Sequence, residues 1–284
     1  NVYNIMMTMS KQSIIEKKIV KHEALTFDDI LLLPNFSTIK RQDVDLATRL
    51  HPKITLKLPV ISSPMDTVTE EAMAVALAKL GGLGIIHRNL SVEKQATTVA
   101  LVKKDVNLLV GAAVGVGTDL VERVEALIKA GVDVLVVDSA HGHSQFVIDA
   151  VSLIRNKYRN AVVMAGNIAT YDGAKALIGA GAHILRVGMG PGSICTTRII
   201  TGMGVPQISA LSAVVRATDG TKVTVVADGG IRQIGDMAKA LAFGANAVML
   251  GSLLARFDES PGDVVEKSGK KYKTYRGMGS IAAM

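Results

Sequence analysis

The chain has 284 residues and one cysteine, and the setting of that cysteine is the first chemical clue. Cys195 lies in "GMGPGSICTTR", Gly188 to Arg198, just after three glycines and a proline. A cysteine on a core strand or on the apolar stripe of a helix acts as a small inert hydrophobe. One in a glycine-rich loop is open to a substrate and is a candidate nucleophile. Arg186 and Arg198 lie nearby in sequence, and neighbouring cations favour the thiolate, which is the reactive form. The same glycines expose carbonyl oxygens that could coordinate a cation. No histidine adjoins Cys195, so an activating base has to come from elsewhere in the fold.

Other small and polar residues recur in clusters, each directly after an apolar run. They are Ser63, Pro64 and Met65; His87, Arg88 and Asn89; Asp138 and Ser139; Gly166 and Asn167; Asp228, Gly229 and Gly230; and Gly251 and Ser252. The last two clusters, "ADGGI" and "LGS", bring glycine backbone close to any ligand and offer N–H groups to an anion. A phosphate would repel Asp228 at close range, whereas ribose hydroxyls would donate to it. A phosphorylated sugar or a nucleotide is therefore the expected ligand. His87, His141 and His143 follow different apolar runs and share no evident acidic ligand, so they read as loop histidines rather than as a metal site.

Eight apolar runs carry these clusters: Leu58–Asp66, Gly82–Asn89, Asn107–Gly115, Val132–Gly142, Ala161–Thr170, His183–Gly190, Lys222–Gly230 and Ala245–Ser252. Continuous rather than alternating apolar runs suit strands covered on both faces, as in a parallel sheet under helices. The intervening segments read as amphipathic helices. "TEEAMAVALAKLG" has acids in its first turn, a lysine near its end and a glycine beyond it. "TDLVERVEALIKAG" offers Thr118 or Asp119 as an N-cap and ends at Gly131. Strand and helix alternating in this way predict an α/β fold, a (β/α)8 or TIM barrel of parallel strands. In such barrels the working groups lie at the carboxyl ends of the strands, where the clusters fall. The opening "EALTFDDILLLPNFST" predicts an N-terminal extension packed over one end of the barrel. The longest link runs from the sixth strand to the seventh and starts with the cysteine stretch. After the eighth run, a hairpin around "EKSGKKY" replaces a clean helix.

Composition excludes several classes. Aromatic residues make up 4% of the chain and tryptophan is absent, which leaves little for stacking on unpaired bases. The net charge of +7 is scattered rather than striped, so nucleic acid is not expected and small phosphorylated substrates are. No apolar run reaches the roughly 18 residues of a membrane span, and "NVYNIMMTMSKQSIIEKK" lacks the apolar core of a secretory signal. A single cysteine forms no internal disulfide, so a reducing cytoplasm is the expected setting.

Ten segments occur in an order that resembles the inosine 5′-monophosphate (IMP) dehydrogenase family across nearly the whole chain. They are "LTFDDILLLP", "SSPMDTVTE", "GGLGIIHRN", "GAAVG", "GNIAT", "GPGSICTTR", "GVPQ", "ADGGI", "GSLLA" and "YRGMGS". The resemblance implies oxidation of IMP by NAD and water to xanthosine 5′-monophosphate, in guanine nucleotide biosynthesis. Cys195 would be the nucleophile at purine C2, with Thr197 beside the reaction centre. Ser63, Ser193, Asp228, Gly230, Gly251, Ser252 and Tyr275 would contact phosphate and ribose, with Met65 and Gly229 in the same site. Met278 and Gly279 would contact the base, with Gly277 and Asn167 beside them. Asp138 would hold the nicotinamide ribose of NAD, together with Ser139 and Gly188. The carbonyls of Gly190, Gly192 and Cys195 would form half of a potassium site completed by a neighbouring subunit of a homotetramer.

The chain departs from the family pattern in three places. The regulatory pair of CBS modules, expected between the second helix and third strand, is missing near residues 95–106, so residues 1–284 form one catalytic barrel. The family's flap and final helix, with the Arg and Tyr that activate the hydrolytic water, would fall after residue 284. "ARFDES" at 255–260 differs from the family's usual start there. The nearest alternative is guanosine 5′-monophosphate reductase, which also lacks the insert. Reductases, however, tend to carry a tyrosine before "PQ" and "GMSS" near the end, where this chain has "GVPQ" and "GMGS". A non-catalytic nucleotide-binding barrel is the alternative from a different class.

Overall fold

The computed structural model describes residues 22–280; the Met-rich opening and the last four residues of "YRGMGSIAAM" lie outside the described residues. A short hairpin comes first, β1 (Thr48–His51) and β2 (Ile54–Leu56), antiparallel to each other. The barrel follows as β3 (Val60–Ser62), α1 (Glu71–Lys79), β4 (Leu83–Ile86), α2 (Val92–Val102), β5 (Val110–Val114), α3 (Leu120–Lys129), β6 (Val134–Asp138) and α4 (Gln145–Lys157). It continues with β7 (Val162–Ile168), α5 (Tyr171–Gly179), β8 (Ile184–Val187), α6 (Thr197–Thr201), α7 (Gln207–Thr218), β9 (Thr224–Asp228), α8 (Ile234–Ala242) and β10 (Ala247–Leu250). All eight strands from β3 to β10 pair in parallel, and β10 returns to β3 with Val248 opposite Val60 and Leu250 opposite Ser62. An exposed hairpin of β11 (Val264–Lys267) and β12 (Lys270–Lys273) comes last.

Side chains alternate across each strand, and the two faces join two separate cores. Val134 and Val136 of β6, Val162 and Met164 of β7, and Ala247 and Met249 of β10 point into the barrel. Their neighbours Leu135, Val137, Val163, Ala165, Val248 and Leu250 pack outward against the helices. Both faces are buried, which is why the runs read as continuously apolar. The helices end as their glycines predict. Gly81, Gly131, Gly181 and Gly244 all lie at φ between +87° and +97°. After α1, for example, the Gly81 N–H donates to Ala78 and the Gly82 N–H to Leu77, a Schellman closure that needs the left-handed turn.

Three expectations need correction. The N-terminal extension packs only through its first part. Phe27 is buried, and its carbonyl accepts from Lys239 Nζ at 2.7 Å, while Leu25 O accepts from the backbone of Ile208. Leu31, Leu33 and Phe36 are at least 86% exposed, because nothing among the described residues covers them. At α3, Asp119 occupies the N-cap position, but its carboxylate turns to Arg123 Nε at 2.7 Å rather than capping the helix. Finally, the amino end of the barrel is closed by β1 and β2, which the sequence did not reveal as strands. Their Leu50, Ile54 and Leu56 complete the interior core.

His183, at the start of β8, meets this plug edge-on, with ring centroids 4.6 Å from those of His51. Its Nδ1 accepts from the Val163 N–H at 3.1 Å. Burial, and secondarily the charge of Arg155, pull the His183 imidazole down to about 4. The unfolded chain therefore binds this proton more readily than the folded one, and stability should fall as pH drops from 6.5 toward about 4. Urea unfolding across that interval, compared with His183→Asn, should show a flatter pH dependence in the variant. Identical slopes would remove His183 from the account.

Candidate active site

A cleft of about 770 Å³ opens at the carboxyl ends of the barrel strands. All the residues to which the resemblance assigns a role line it, whereas His87, Asn89 and Gly166 of the strand-end clusters do not. From the strand ends come Ser63, Met65, Asp138, Ser139, Asn167, Gly188, Asp228, Gly229, Gly230, Gly251 and Ser252. The cysteine loop contributes Gly190, Gly192, Ser193, Cys195 and Thr197, and the segment after β12 contributes Tyr275, Gly277, Met278 and Gly279. Ser63 and Gly279, 216 positions apart, thus share one cavity because the barrel aims all its strand ends at one mouth.

Cys195 is partly buried, and its Sγ hydrogen-bonds Thr197 Oγ1 at 3.3 Å. A turn holds the loop, with the Cys195 N–H donating to Gly192 O at 3.1 Å. Arg198 clamps the loop's two ends, donating to Met189 O at 3.3 Å and to Val205 O at 2.8 Å. Gly190 and Gly204 let it pass: a Cβ at either would lie 2.5–2.6 Å from the arginine side chain.

The expectation that Arg186 favours the thiolate is corrected here, because its head is committed to two carboxylates. Arg198, in contrast, meets only carbonyl oxygens and keeps its charge unpaired by any carboxylate among the described residues. Arg186 is buried, with Nη1 at 2.5 Å from Asp138 Oδ1 and Nε at 2.8 Å from Asp228 Oδ2. Burial alone would lower the guanidinium, but the charges of Asp228 and Asp138 outweigh it and hold the group above its usual value. Asn167 Nδ2 donates to the same Asp228 oxygen and to Gly188 O, each at 2.8 Å. Asp228 is thereby fixed through Oδ2, which leaves Oδ1 to face a ligand. Gln207 Nε2 ties the ends of β8 and β9 together, donating to Val187 O at 2.8 Å and to Asp228 O at 3.2 Å.

Tyr275 reaches over Gly251, where a Cβ would lie 2.6 Å from the phenol oxygen. Burial, then the charge of Asp228, push its hydroxyl up to about 12, so it stays protonated and donates near neutral pH. His87 hydrogen-bonds Glu70 at 3.1 Å, and no cluster of metal-ligating His, Cys, Asp or Glu exists among the described residues.

Sequence reading missed the charge arrangement. Arg186 is the one charged residue inside the strand "ILRV", and that interruption was the available signal. Asp66 and Arg276 also pair, at 2.5 Å. They lie 210 positions apart, a separation that no local pattern bridges.

A closed (β/α)8 barrel with a loop cysteine, glycine-lined strand ends and a fixed carboxylate gathered at one cleft has the architecture of a barrel enzyme. Comparison with known proteins narrows the class. The family described as IMP dehydrogenase / GMP reductase domain matches residues 24–284, and the chain belongs to that family. It is 46% identical to the inosine-5′-monophosphate dehydrogenase of Borreliella burgdorferi over 94% of this chain and 78% of the relative. Identity to the Cryptosporidium parvum enzyme is 44%, over 92% of this chain and 75% of the relative. The Escherichia coli K12 enzyme is 37% identical over 93% of this chain and 80% of the relative. That last alignment spans 391 residues, more than this chain contains, so the relative carries internal residues with no counterpart here.

Proposed function

We propose that the chain oxidises IMP to xanthosine 5′-monophosphate with NAD and water, through a covalent adduct on Cys195. The observation that carries this is the position of the partly buried thiol in a glycine loop, inside the cleft that also holds Asp228 and the glycines at the ends of β9 and β10. Ser63, Ser193, Gly230, Gly251, Ser252 and Tyr275 hold the 5′-phosphate, and Asp228 takes the ribose hydroxyls, with Met65 and Gly229 completing that wall. Gly277, Met278, Gly279 and Asn167 enclose the base. The Cys195 thiolate bonds to purine C2, and Thr197 steadies the sulfur. C2 then gives up its hydrogen with two electrons, leaving a carbon–sulfur adduct one oxidation level higher. Water adds at C2 and sulfur departs as thiol, which yields the product with net release of one proton. Cysteine suits both ends of this sequence, since it attacks readily and also leaves.

NAD, when bound, accepts the hydrogen and electron pair from C2. The donor set fits it: Asp138 keeps a carboxylate at the cleft wall, fixed by Arg186 and able to accept from ribose hydroxyls, with Ser139 and Gly188 adjoining. The carbonyls of Gly190, Gly192 and Cys195 are neutral hard oxygens of the kind an alkali cation takes, and they would hold potassium in half of a site. A second copy would complete that site in a homotetramer. The exposed Ile199 and Ile200 next to the loop support a contact there. Residues 103–109 join α2 directly to β5, which supports a single catalytic unit without the CBS insert. No helix among the described residues is long and apolar enough to cross a membrane. A single cysteine, which can form no internal disulfide, fits a reducing cytoplasm.

Mixing the protein with IMP and NAD should produce reduced nicotinamide in at least one equivalent per chain. A single burst would place the block at hydrolysis, and sustained production would show a complete cycle. Oxidation of NADPH with guanosine 5′-monophosphate, without any response to IMP, would overturn the proposal.

A further inference from the structure

Asp66 follows the first barrel strand and belongs to none of the groups assigned above. Its carboxylate is 6% exposed and meets Arg276 through two guanidinium nitrogens, Nε at 3.1 Å and Nη2 at 2.5 Å. Asn89, from the loop after β4, donates to the same carboxylate at 3.0 Å. The Asp66 N–H donates to Met278 Sδ at 3.4 Å, and the Arg276 N–H donates to Thr67 Oγ1 at 3.3 Å. Next to this, Tyr275 Oη donates to Met65 Sδ at 3.9 Å. Gly277 passes so close to the cysteine loop that a Cβ there would lie 3.2 Å from Ile194 O. Burial raises the Asp66 carboxyl, but the hydrogen bonds from Arg276 and Asn89 and the Arg276 charge outweigh this and keep it below its ordinary value.

Apart from the Asn89 bond and the Ile194 approach, these contacts join two short stretches, 65–67 and 275–278. The first sits on the rigid barrel. The second comes after an exposed hairpin whose strands have no partner in the barrel sheet. Beside those weaker contacts, the Asp66–Arg276 pair is the one ion pair among the described residues that ties the second stretch to the barrel rim.

We propose that Asp66 is a positioning residue for the purine end of the cleft: through its two-pronged pair with Arg276 it latches residues 275–279 against the barrel rim. The pair sets the distance between Met278 and Gly279, on one wall, and Cys195 on the other. A planar guanidinium fork fixes orientation as well as distance, which a lysine ammonium cannot do. The latch acts on IMP and not on the nicotinamide side, because Asp138, Ser139 and Gly188 are carried by β6 and β8.

The inference rests on the proposed oxidation of IMP, and its test separates the two. In ligand-free protein, Asp66→Asn and Arg276→Gln should each speed amide hydrogen exchange over residues 274–280 while leaving the barrel strands protected. In turnover, each should raise KM for IMP by about tenfold or more, the loss expected for a charge-assisted hydrogen-bonded pair. KM for NAD should change by less than about twofold and kcat by less than about threefold. Arg276→Lys should recover only part of the IMP affinity. Should Asp66→Asn fail to fold, the half-exposed Arg276 still allows the test through its own two variants. Unchanged exchange at 274–280, or parallel losses in KM for IMP, KM for NAD and kcat, would overturn the latch. A wild-type protein inert toward IMP would instead overturn the function and leave the exchange result to judge the latch alone.

Discussion

Cys195→Ala should abolish IMP-dependent reduction of NAD, with a loss of at least ~10⁴-fold in kcat, while IMP still binds within about threefold of wild type. The asymmetry follows from chemistry. In the proposed reaction sulfur contributes little to holding the nucleotide, which backbone amides, hydroxyls and Asp228 would grip. It contributes the whole of the covalent step. The other hydroxyls in the cleft, on Ser193, Thr196 and Thr197 among them, belong to weak nucleophiles with no base in contact to activate them. Cys195→Ser should therefore be nearly as inactive, because a serine hydroxyl at neutral pH is almost never ionised. Stopped-flow absorbance for reduced nicotinamide and calorimetry for IMP measure the two halves. A variant that retained more than about a tenth of wild-type turnover would mean that no covalent step passes through this loop.

Arg186→Met is the second large effect, and it falls on stability and activity together. The side chain is buried between two carboxylates, Asp138 and Asp228, that are themselves 20% and 13% exposed. Methionine fills much of the volume but leaves Asp228 without its cation and Asp138 with only the longer contact to Arg88, at 3.7 Å. Breaking a buried pair from one side costs roughly 3–5 kcal/mol, because the remaining charge has lost its hydration and its partner alike. Half of a typical domain's stability could go with one substitution. Adding Asp138→Asn and Asp228→Asn to Arg186→Met should restore much of the denaturation midpoint, since the uncompensated charges are then gone. It should not restore turnover, because the carboxylates proposed to hold the two riboses are gone too. Denaturant titration of wild type, the single variant and the triple variant, with IMP-dependent turnover alongside, decides the matter. A single variant as stable as wild type would show that the site's electrostatics do not depend on Arg186.

Both predictions turn on residues with very different legibility. Cys195 was visible at once, because a glycine loop after an apolar run is a local pattern and the chain has one cysteine. Arg186 was visible as a residue but was assigned the wrong partner. Sequence proximity suggested the thiol, yet strand register decides which way a side chain points. Arg186 lies opposite Gly166 on β7 and Val226 on β9, and its guanidinium reaches the carboxylates at the carboxyl ends of β6 and β9. Asp66 and Arg276 show the limit more sharply. Nothing in "SSPMD" or "YRGMG" marks them as a pair, since ion pairing over so long a separation is a property of the closed barrel alone.

The sequence by itself determined the parts. Continuous apolar runs with glycine-stopped helices between them dictated parallel strands buried on both faces, and eight such runs dictated closure. The polar clusters at the run ends dictated where a ligand would bind. These inferences are local, governed by periodicity, backbone freedom and the chemistry of single residues. The tertiary structure alone decided that β1 and β2 plug the barrel floor, that Leu31 to Phe36 stay uncovered, and that one buried arginine balances two carboxylates. Each of these depends on energies between residues that meet only after the chain has closed on itself, where burial changes the cost of a charge and register chooses its partner.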